Sequence, residues 1–301
     1  MNSLNVKDYY EKSYQLRRRF LEIFTGLGYG HLTTAFSETE ILTALFERII
    51  RFDESKKPVD KFVLSKGHGA GMLFPVLEDM GIFTKEETAA MLQKGGDILR
   101  LREYVYPGFE FYGGSLGIGI GMAAGLALGL KLNRSDSIVY CLMGDAECYE
   151  GAVWEAMLFA SHYSLNNLVV IVDRNYLGCS DFTENMCRLE PFAEKWRSCN
   201  WETAEINGHS YEELFMVLSG VRKRKTSKPL CIIADTVKGK GLDYLCNIPL
   251  NHGFMPTGSS AETAFKMLEH TGISSNDQKA VCAEGVKTGG EKIEADTDTS
   301  Q

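Results

Sequence analysis

Residues 138–178 constrain this chain more than any other stretch. An apolar run, IVYCLM, ends at Gly144 and Asp145, a helix-patterned segment follows, and a second apolar run, LVVIVD, ends just before Asn175. That pattern is a βαβ unit. A crossover between parallel strands is right-handed almost without exception and brings both C-terminal strand ends to one edge of the sheet. Asp145 and Asn175 are therefore predicted to face one pocket. Mg²⁺ takes octahedral oxygen ligands and commonly only one or two from protein side chains, and an acid with a carboxamide meets that need. Taken singly, Asp145 reads as a helix N-cap and Asn175 as a turn residue. Their joint placement carries the metal expectation. Gly144 lets the chain turn sharply off the strand, and Ala146 is small enough for a phosphate to approach backbone N–H groups.

Elsewhere strands and helices alternate, which predicts an α/β fold with a doubly wound, mostly parallel sheet. Strands are expected at 62–64, 138–143, 168–173, 201–206 and 229–237, and amphipathic helices over 8–24 and 210–225. Ser37 followed by Glu40 reads as the capping signal of a helix after a glycine-flanked loop that holds His31. His68 lies in a tight SKGHG turn at a strand end, with a helix predicted from about residue 70. Such strand ends are where open α/β sheets bind ligands. His68, Asp145, Asn175 and Lys238 all follow predicted strands and should meet on one edge; His252 sits in the loop beyond Lys238. Plain turn and loop roles compete for His31 and His68, at about even odds for each motif alone.

Gly117, Gly121, Gly125 and Gly129 recur every fourth residue and would form one smooth helix face. Glycine costs a helix roughly 1 kcal/mol relative to alanine, so the stripe needs a packing or ligand reason. The apolar run from 116 to 130 is too short to span a bilayer, so close helix packing is expected. Residues 84–93 read as a helix, and 94–110 form a polar and aromatic connection with no assigned structure. The tail from 274 to 301 has few large apolar side chains and is expected to be disordered.

The 301 residues are 44% hydrophobic, ample for a core, and the net charge of -8 argues against a nucleic-acid partner. The basic run RKRK at 222–225 reads as the solvated end of a helix. Eight irregularly spaced cysteines without a CxxC pair predict reduced thiols in a cytoplasmic protein, with no membrane segment. Neither a GxxxxGK[ST] phosphate loop nor a GxGxxG dinucleotide fingerprint opens a helix at the central unit.

The run GDAECYEGAVWEA followed by NLVVIVDRN resembles the thiamine-diphosphate motif of the transketolase family. Four other stretches agree in order: GYGH at 28–31, DKFVLSKGHG at 60–69, PGFEFYGGSLGIG at 107–119 and ADTVKGKG at 234–241. The resemblance covers roughly 15–256 and is to the N-terminal, diphosphate-binding half. It implies a thiamine-diphosphate domain over 1–256, followed by a C-terminal helix over 257–273. It implies Mg²⁺ on Asp145, Asn175 and the Leu177 carbonyl. It places His68, Ala146 and His252 at the diphosphate and Gly114 and Leu116 on the thiazolium side, with Ser115, Gly144, Glu147 and Lys238 also cofactor-binding. His31, His68 and His252 match the catalytic histidines. Glu150 and Glu155 match acids near the contact between active sites; on residues alone they read as exposed helix glutamates.

Three departures stand out. GDG reads GDA, GSLGQG reads GSLGIG with Ile118 for glutamine, and the Gly-His-Pro stretch that holds the ketose donor is absent before Pro107. Nothing in the chain matches the domain that docks the cofactor's pyrimidine and activates it. The expectation is thus the N-terminal subunit of a split transketolase-like enzyme acting on sugar phosphates, joined to a C-terminal-type subunit in a heterotetramer of two of each. Two alternatives are a thiamine-diphosphate enzyme with a 2-oxo acid donor and a non-catalytic scaffold subunit.

Overall fold

The computed structural model describes residues 5–93, 109–112 and 114–271. Six strands form one sheet: β1 (Lys61–Leu64), β2 (Phe109–Tyr112), β3 (Val139–Gly144), β4 (Leu168–Arg174), β5 (Glu202–Asn207) and β6 (Leu230–Asp235). Their order is β2-β1-β3-β4-β6-β5, and every neighbouring pair is parallel. All strand ends that could carry ligands therefore lie on one edge. β4 is buried along its whole length and β3 along all but its last residue, which is why both read as continuous apolar runs.

The helices are α1 (Val6–Phe24), α2 (Leu32–Ser37), α3 (Thr39–Ala44), α4 (Leu73–Asp79), α5 (Lys85–Gln93), α6 (Ile118–Leu132), α7 (Gly151–His162), α8 (Thr183–Met186), α9 (Phe192–Ser198), α10 (Tyr211–Gly220) and α11 (Ser259–Thr271). They cover both faces of the sheet. Side chains alternate along each strand, so Tyr140, Leu142, Val169 and Ile171 join Phe20, Leu42 and Leu214 in one core. Val139, Cys141, Met143, Val170 and Val172 join Ala123, Met157 and Trp196 in the other. This is the doubly wound arrangement expected from the alternating pattern.

Several local expectations change. Ser37 does not cap a helix: it ends α2, and its one hydroxyl hydrogen is shared between Asp173 at 2.6 Å and the Thr34 carbonyl at 2.9 Å. Glu40 is taken by Arg17 at 2.6 Å instead of by a cap backbone. Both polar side chains are buried, and a buried charge is held by its strongest available partner. A 3₁₀ turn over Gly67–Met72 delays the next helix to Leu73. The aromatic FEFY at 109–112 is an edge strand, which its place in an unassigned connection concealed. In the basic run, Arg222 pairs with Asp60 at 2.5 Å and Arg224 with Glu202 at 2.9 Å, so the run is not simply solvated. A helix does form at Ser259–Thr271, where the C-terminal one was expected. The expected tail at 274–301 and the departure at 98–106 lie outside the described residues.

The glycine stripe is also corrected. Gly117 leaves it, serving as the left-handed N-cap of α6 at φ 83°. A Cβ at Gly121, Gly125 or Gly129 would meet nothing within 4 Å among the described residues, so the stripe packs against none of the described helices. Gly119, off the stripe, makes the close contact: a Cβ there would lie 2.6 Å from the Ser65 Cα. Gly119→Ala should therefore cost about 1–3 kcal/mol, the usual range for overpacking, and lower the thermal midpoint. Gly125→Ala should leave the isolated chain's midpoint unchanged or raised, since alanine favours helix. Thermal denaturation followed by circular dichroism checks the pair, and equal effects would contradict it.

Candidate functional site

Loops after β1, β3, β4 and β6 gather around a buried ammonium. Lys66, just beyond β1, is enclosed and pairs with Glu38 at 2.7 Å and with Asp173 near the end of β4. Asp173 also accepts from Ser37 and from Thr236, just after β6. One cation cannot neutralise two buried acids. Burial accordingly pushes Glu38 up to about 8, against the pull of Lys66, while Asp173 stays below its ordinary range despite burial because Lys66 and two hydroxyls hold its charged form.

Above this ammonium stand the three predicted histidines. Ring centroids are 5.4 Å apart for His31 and His68, 5.1 Å for His31 and His252, and 4.7 Å for His68 and His252. Lys238 joins them, its Nζ 3.2 Å from His252 Nδ1. Burial and then the neighbouring Lys238 charge lower His31; burial and the other cationic groups lower His68 far more. His252 falls to about 3 for the same reasons. The rings are thus neutral at pH 7, each with one donor and one acceptor nitrogen. Burial also lowers Lys238. Lys238 is thus a buried amine beside three neutral imidazoles.

The predicted metal ligands come together. Asp145 is buried; its Oδ1 accepts from the Ala146 N–H at 2.7 Å and its Oδ2 from the Tyr176 N–H at 2.7 Å. Asp145 is thus bonded to the turn that carries Asn175 and Leu177. Asn175 Oδ1 accepts from the Leu177 N–H at 3.2 Å, and Tyr176 adopts φ 62° to make the turn. Burial pushes the Asp145 carboxyl up, and Arg174 opposes the shift. The Asp145 charge acts on Lys238, which links the acid side of the site to the histidines. Among the described residues no three His, Cys, Asp or Glu side chains cluster to hold a metal. The donors offered here are a carboxylate, a carboxamide oxygen and a backbone carbonyl, a hard-oxygen set that fits Mg²⁺.

Gly114, Ser115 and Leu116 are exposed at the start of α6. The Gly117 N–H that ends their turn donates to Glu147 Oε1 at 2.8 Å. Glu147 also accepts from the Ser65 hydroxyl and from the Gly144 N–H at 3.1 Å. Glu147 thus ties the loops at Ser65, Gly117 and Gly144 together. Glu150 and Glu155 are exposed on this chain.

Sequence reasoning missed the supporting groups. His209 is buried, its Nδ1 2.8 Å from Glu40 and its Nε2 accepting from the Val237 N–H at 2.8 Å, beside Lys238. Arg17 holds the same Glu40 from α1. Lys66 and Arg174 carried one faint signal, a basic residue at or just past the end of a mostly apolar strand.

A family model described as transketolase, thiamine diphosphate binding domain, matches residues 15–298. The chain belongs to the transketolase family. Over 253 residues it is 34% identical to one subunit of the apulose-4-phosphate transketolase from Phocaeicola vulgatus, covering 83% of this chain and 90% of that one. It is 31% identical to a 6-deoxy-6-sulfo-D-fructose transketolase subunit of Clostridium sp., covering 85% of this chain and 94% of that subunit. Human transketolase is 36% identical over 76% of this chain, but this chain spans only 37% of it. The transketolase structure from Campylobacter jejuni superposes at a TM-score of 0.77 with 24% identity, over 89% of this chain and 43% of that one, and shows the shared fold. The likeness therefore extends over a whole subunit of a transketolase-like transferase, and over under half of the single-chain enzymes.

The half-buried histidines set a pH dependence. His68 refuses in the folded state a proton that the unfolded chain binds below about pH 6.5. Its contribution to stability is full above that pH and is lost as the pH falls below it. Glu38, raised by burial, contributes with the opposite sign. A difference between wild type and His68→Asn cancels every other group. From pH 7 to pH 5 the variant should lose less stability, by at most about 1.4 kcal/mol per pH unit, the one-proton limit. Denaturant unfolding at a series of pH values measures it, and parallel curves would contradict it.

Proposed function

We propose that this chain is the diphosphate- and metal-holding subunit of a two-chain transketolase-like enzyme, moving a two-carbon ketol unit from a ketose donor to an aldehyde acceptor. The observation that carries the reading is the meeting, on one strand-end edge, of an oxygen-donor turn and a cationic cradle lined with neutral histidines. Thiamine diphosphate, when bound, supplies the electron sink that such a transfer needs. Asp145, Asn175 and the Leu177 carbonyl would hold Mg²⁺. Lys238, His68 and His252 would face the diphosphate, with Ala146 beside them, and Gly114, Ser115 and Leu116 would line the thiazolium side. His31 and His252, being neutral, would accept and return protons at substrate hydroxyls. Sugar phosphates are the proposed substrates, in the cytoplasm.

Two relatives named as transketolase subunits are matched over nearly their whole lengths, which supports a separate C-terminal-type partner for this chain. That partner would dock the pyrimidine and supply the group that activates the cofactor. A heterotetramer of two of each is favoured by the outer face of α6 and α7. There the open Gly121 and Gly125 lie on the same helix as exposed Ile118 and Met122, and exposed Leu158 and Phe159 extend the apolar surface on α7.

Assay of the chain with and without its partner, against ketose phosphates and 2-oxo acids, tests this reading. Ketol transfer is expected only with both chains, and Asp145→Ala should reduce it by at least about a hundredfold, the scale on which metal-supported catalysis fails. Turnover by the chain alone would defeat the two-chain claim. Use of 2-oxo acids would reassign the donor, and an unaffected Asp145→Ala variant would favour a scaffold.

A further inference from the structure

The metal reading leaves one buried charge unexplained. Arg174, the last residue of β4, is 1% exposed. Its Nη1 donates to Asp145 Oδ2 at 3.2 Å and to Thr183 Oγ1 at 3.0 Å; its Nη2 donates to Glu184 at 3.2 Å and to Glu190 at 2.9 Å. The guanidinium lies 4.2 Å from the centre of the Tyr176 ring and 5.1 Å from that of Phe192. The Tyr176 hydroxyl in turn donates to Asp235 at 2.7 Å, at the end of β6. One fixed fork thus touches the carboxylate, the residue between Asn175 and Leu177, and the 183–190 segment.

Counting acceptor sites gives this contact a consequence. An ionised carboxylate has about four lone-pair positions. On Asp145, Oδ2 is used twice, by the Tyr176 N–H and by Arg174, and Oδ1 once, by the Ala146 N–H. The free position is on Oδ1. Glu184 and Glu190 hold the guanidinium from its other side. Tyr176 is carried on the face of the same cation, which fixes the turn that presents the Asn175 and Leu177 oxygens.

We propose that Arg174 is the positioning residue of the metal site. It turns the Asp145 carboxylate so that Oδ1 alone ligates, and it sets the turn that aligns the other two donors. The inference rests on the reading that Asp145, Asn175 and Leu177 hold Mg²⁺. Groups that orient metal ligands from outside typically contribute about 10–100-fold to affinity.

The test titrates magnesium chloride into the two-subunit complex at saturating thiamine diphosphate, by calorimetry, for wild type, Arg174→Met, Thr183→Val and Asp145→Asn. Arg174→Met should raise the Mg²⁺ dissociation constant about 10–100-fold. Its kcat at saturating Mg²⁺ should stay near that of wild type, a split that general loss of folding would not give. Thr183→Val removes only the acceptor that aims Nη1 and should give a smaller rise in the same direction; it stands in if Arg174→Met does not fold. An unchanged or tighter Mg²⁺ constant in Arg174→Met, or in Thr183→Val where it stands in, with Asp145→Asn impaired, overturns the role of Arg174 alone. An unaffected Asp145→Asn would instead overturn the metal site itself.

Discussion

A single ammonium, that of Lys66, ties the working edge of this protein together. Its partners come from separate parts of the chain: Glu38 from the break between α2 and α3, and Asp173 from β4, which in turn binds Ser37 and Thr236. Burying charge is expensive, and a buried ion is kept only where geometry and hydrogen bonds satisfy it. Here Lys66, Ser37 and Thr236 all hold the Asp173 carboxylate, while Glu38 is paired with Lys66 and burial pushes its carboxyl up. The outcome is mechanical as well as electrostatic. Loops that a parallel sheet merely brings to the same edge are locked there in register.

That lock explains how the surface above it can be soft in chemistry and firm in shape. Neutral His31, His68 and His252 surround Lys238, and a buried cation in this setting has a strong preference for an anion. On the other side the Asp145 carboxylate is bonded to the Tyr176 N–H, so acid and turn move as one. Glu147 repeats the device between Ser65, Gly117 and Gly144. The histidines with Lys238 and the Asp145 turn therefore stand on one edge of the sheet, the arrangement on which the proposed metal-bridged diphosphate site rests.

Much of this could be read from the sequence, because the signals were of the right kind. Continuous apolar runs marked β3 and β4, the alternation of strands and helices pointed to the parallel sheet, and strand-end positions picked out His68, Asp145, Asn175 and Lys238. What escaped has a common cause. Long-range partners of a charge leave no local trace: nothing near Glu40 announces Arg17 and His209, and nothing near Lys66 announces Glu38. Ser37 and Glu40 matched a capping pattern by spacing, yet tertiary charge pairing overrode it. Likewise, glycines at every fourth position look the same whether their face meets the core, a partner or water, and here Gly121 and Gly125 meet nothing among the described residues. The strand at 109–112 was hidden because the polar and aromatic sequence before it carries no clear period.

The central claim is that this edge binds a diphosphate through a metal held on oxygen donors. Calorimetric titration of thiamine diphosphate into the two-subunit complex, with Mg²⁺ and then with chelator present, tests it most directly. The account predicts saturable binding with Mg²⁺ that disappears in chelator and in Asn175→Ala. Equal affinity under both conditions, undiminished by loss of the Asn175 carboxamide, would contradict it.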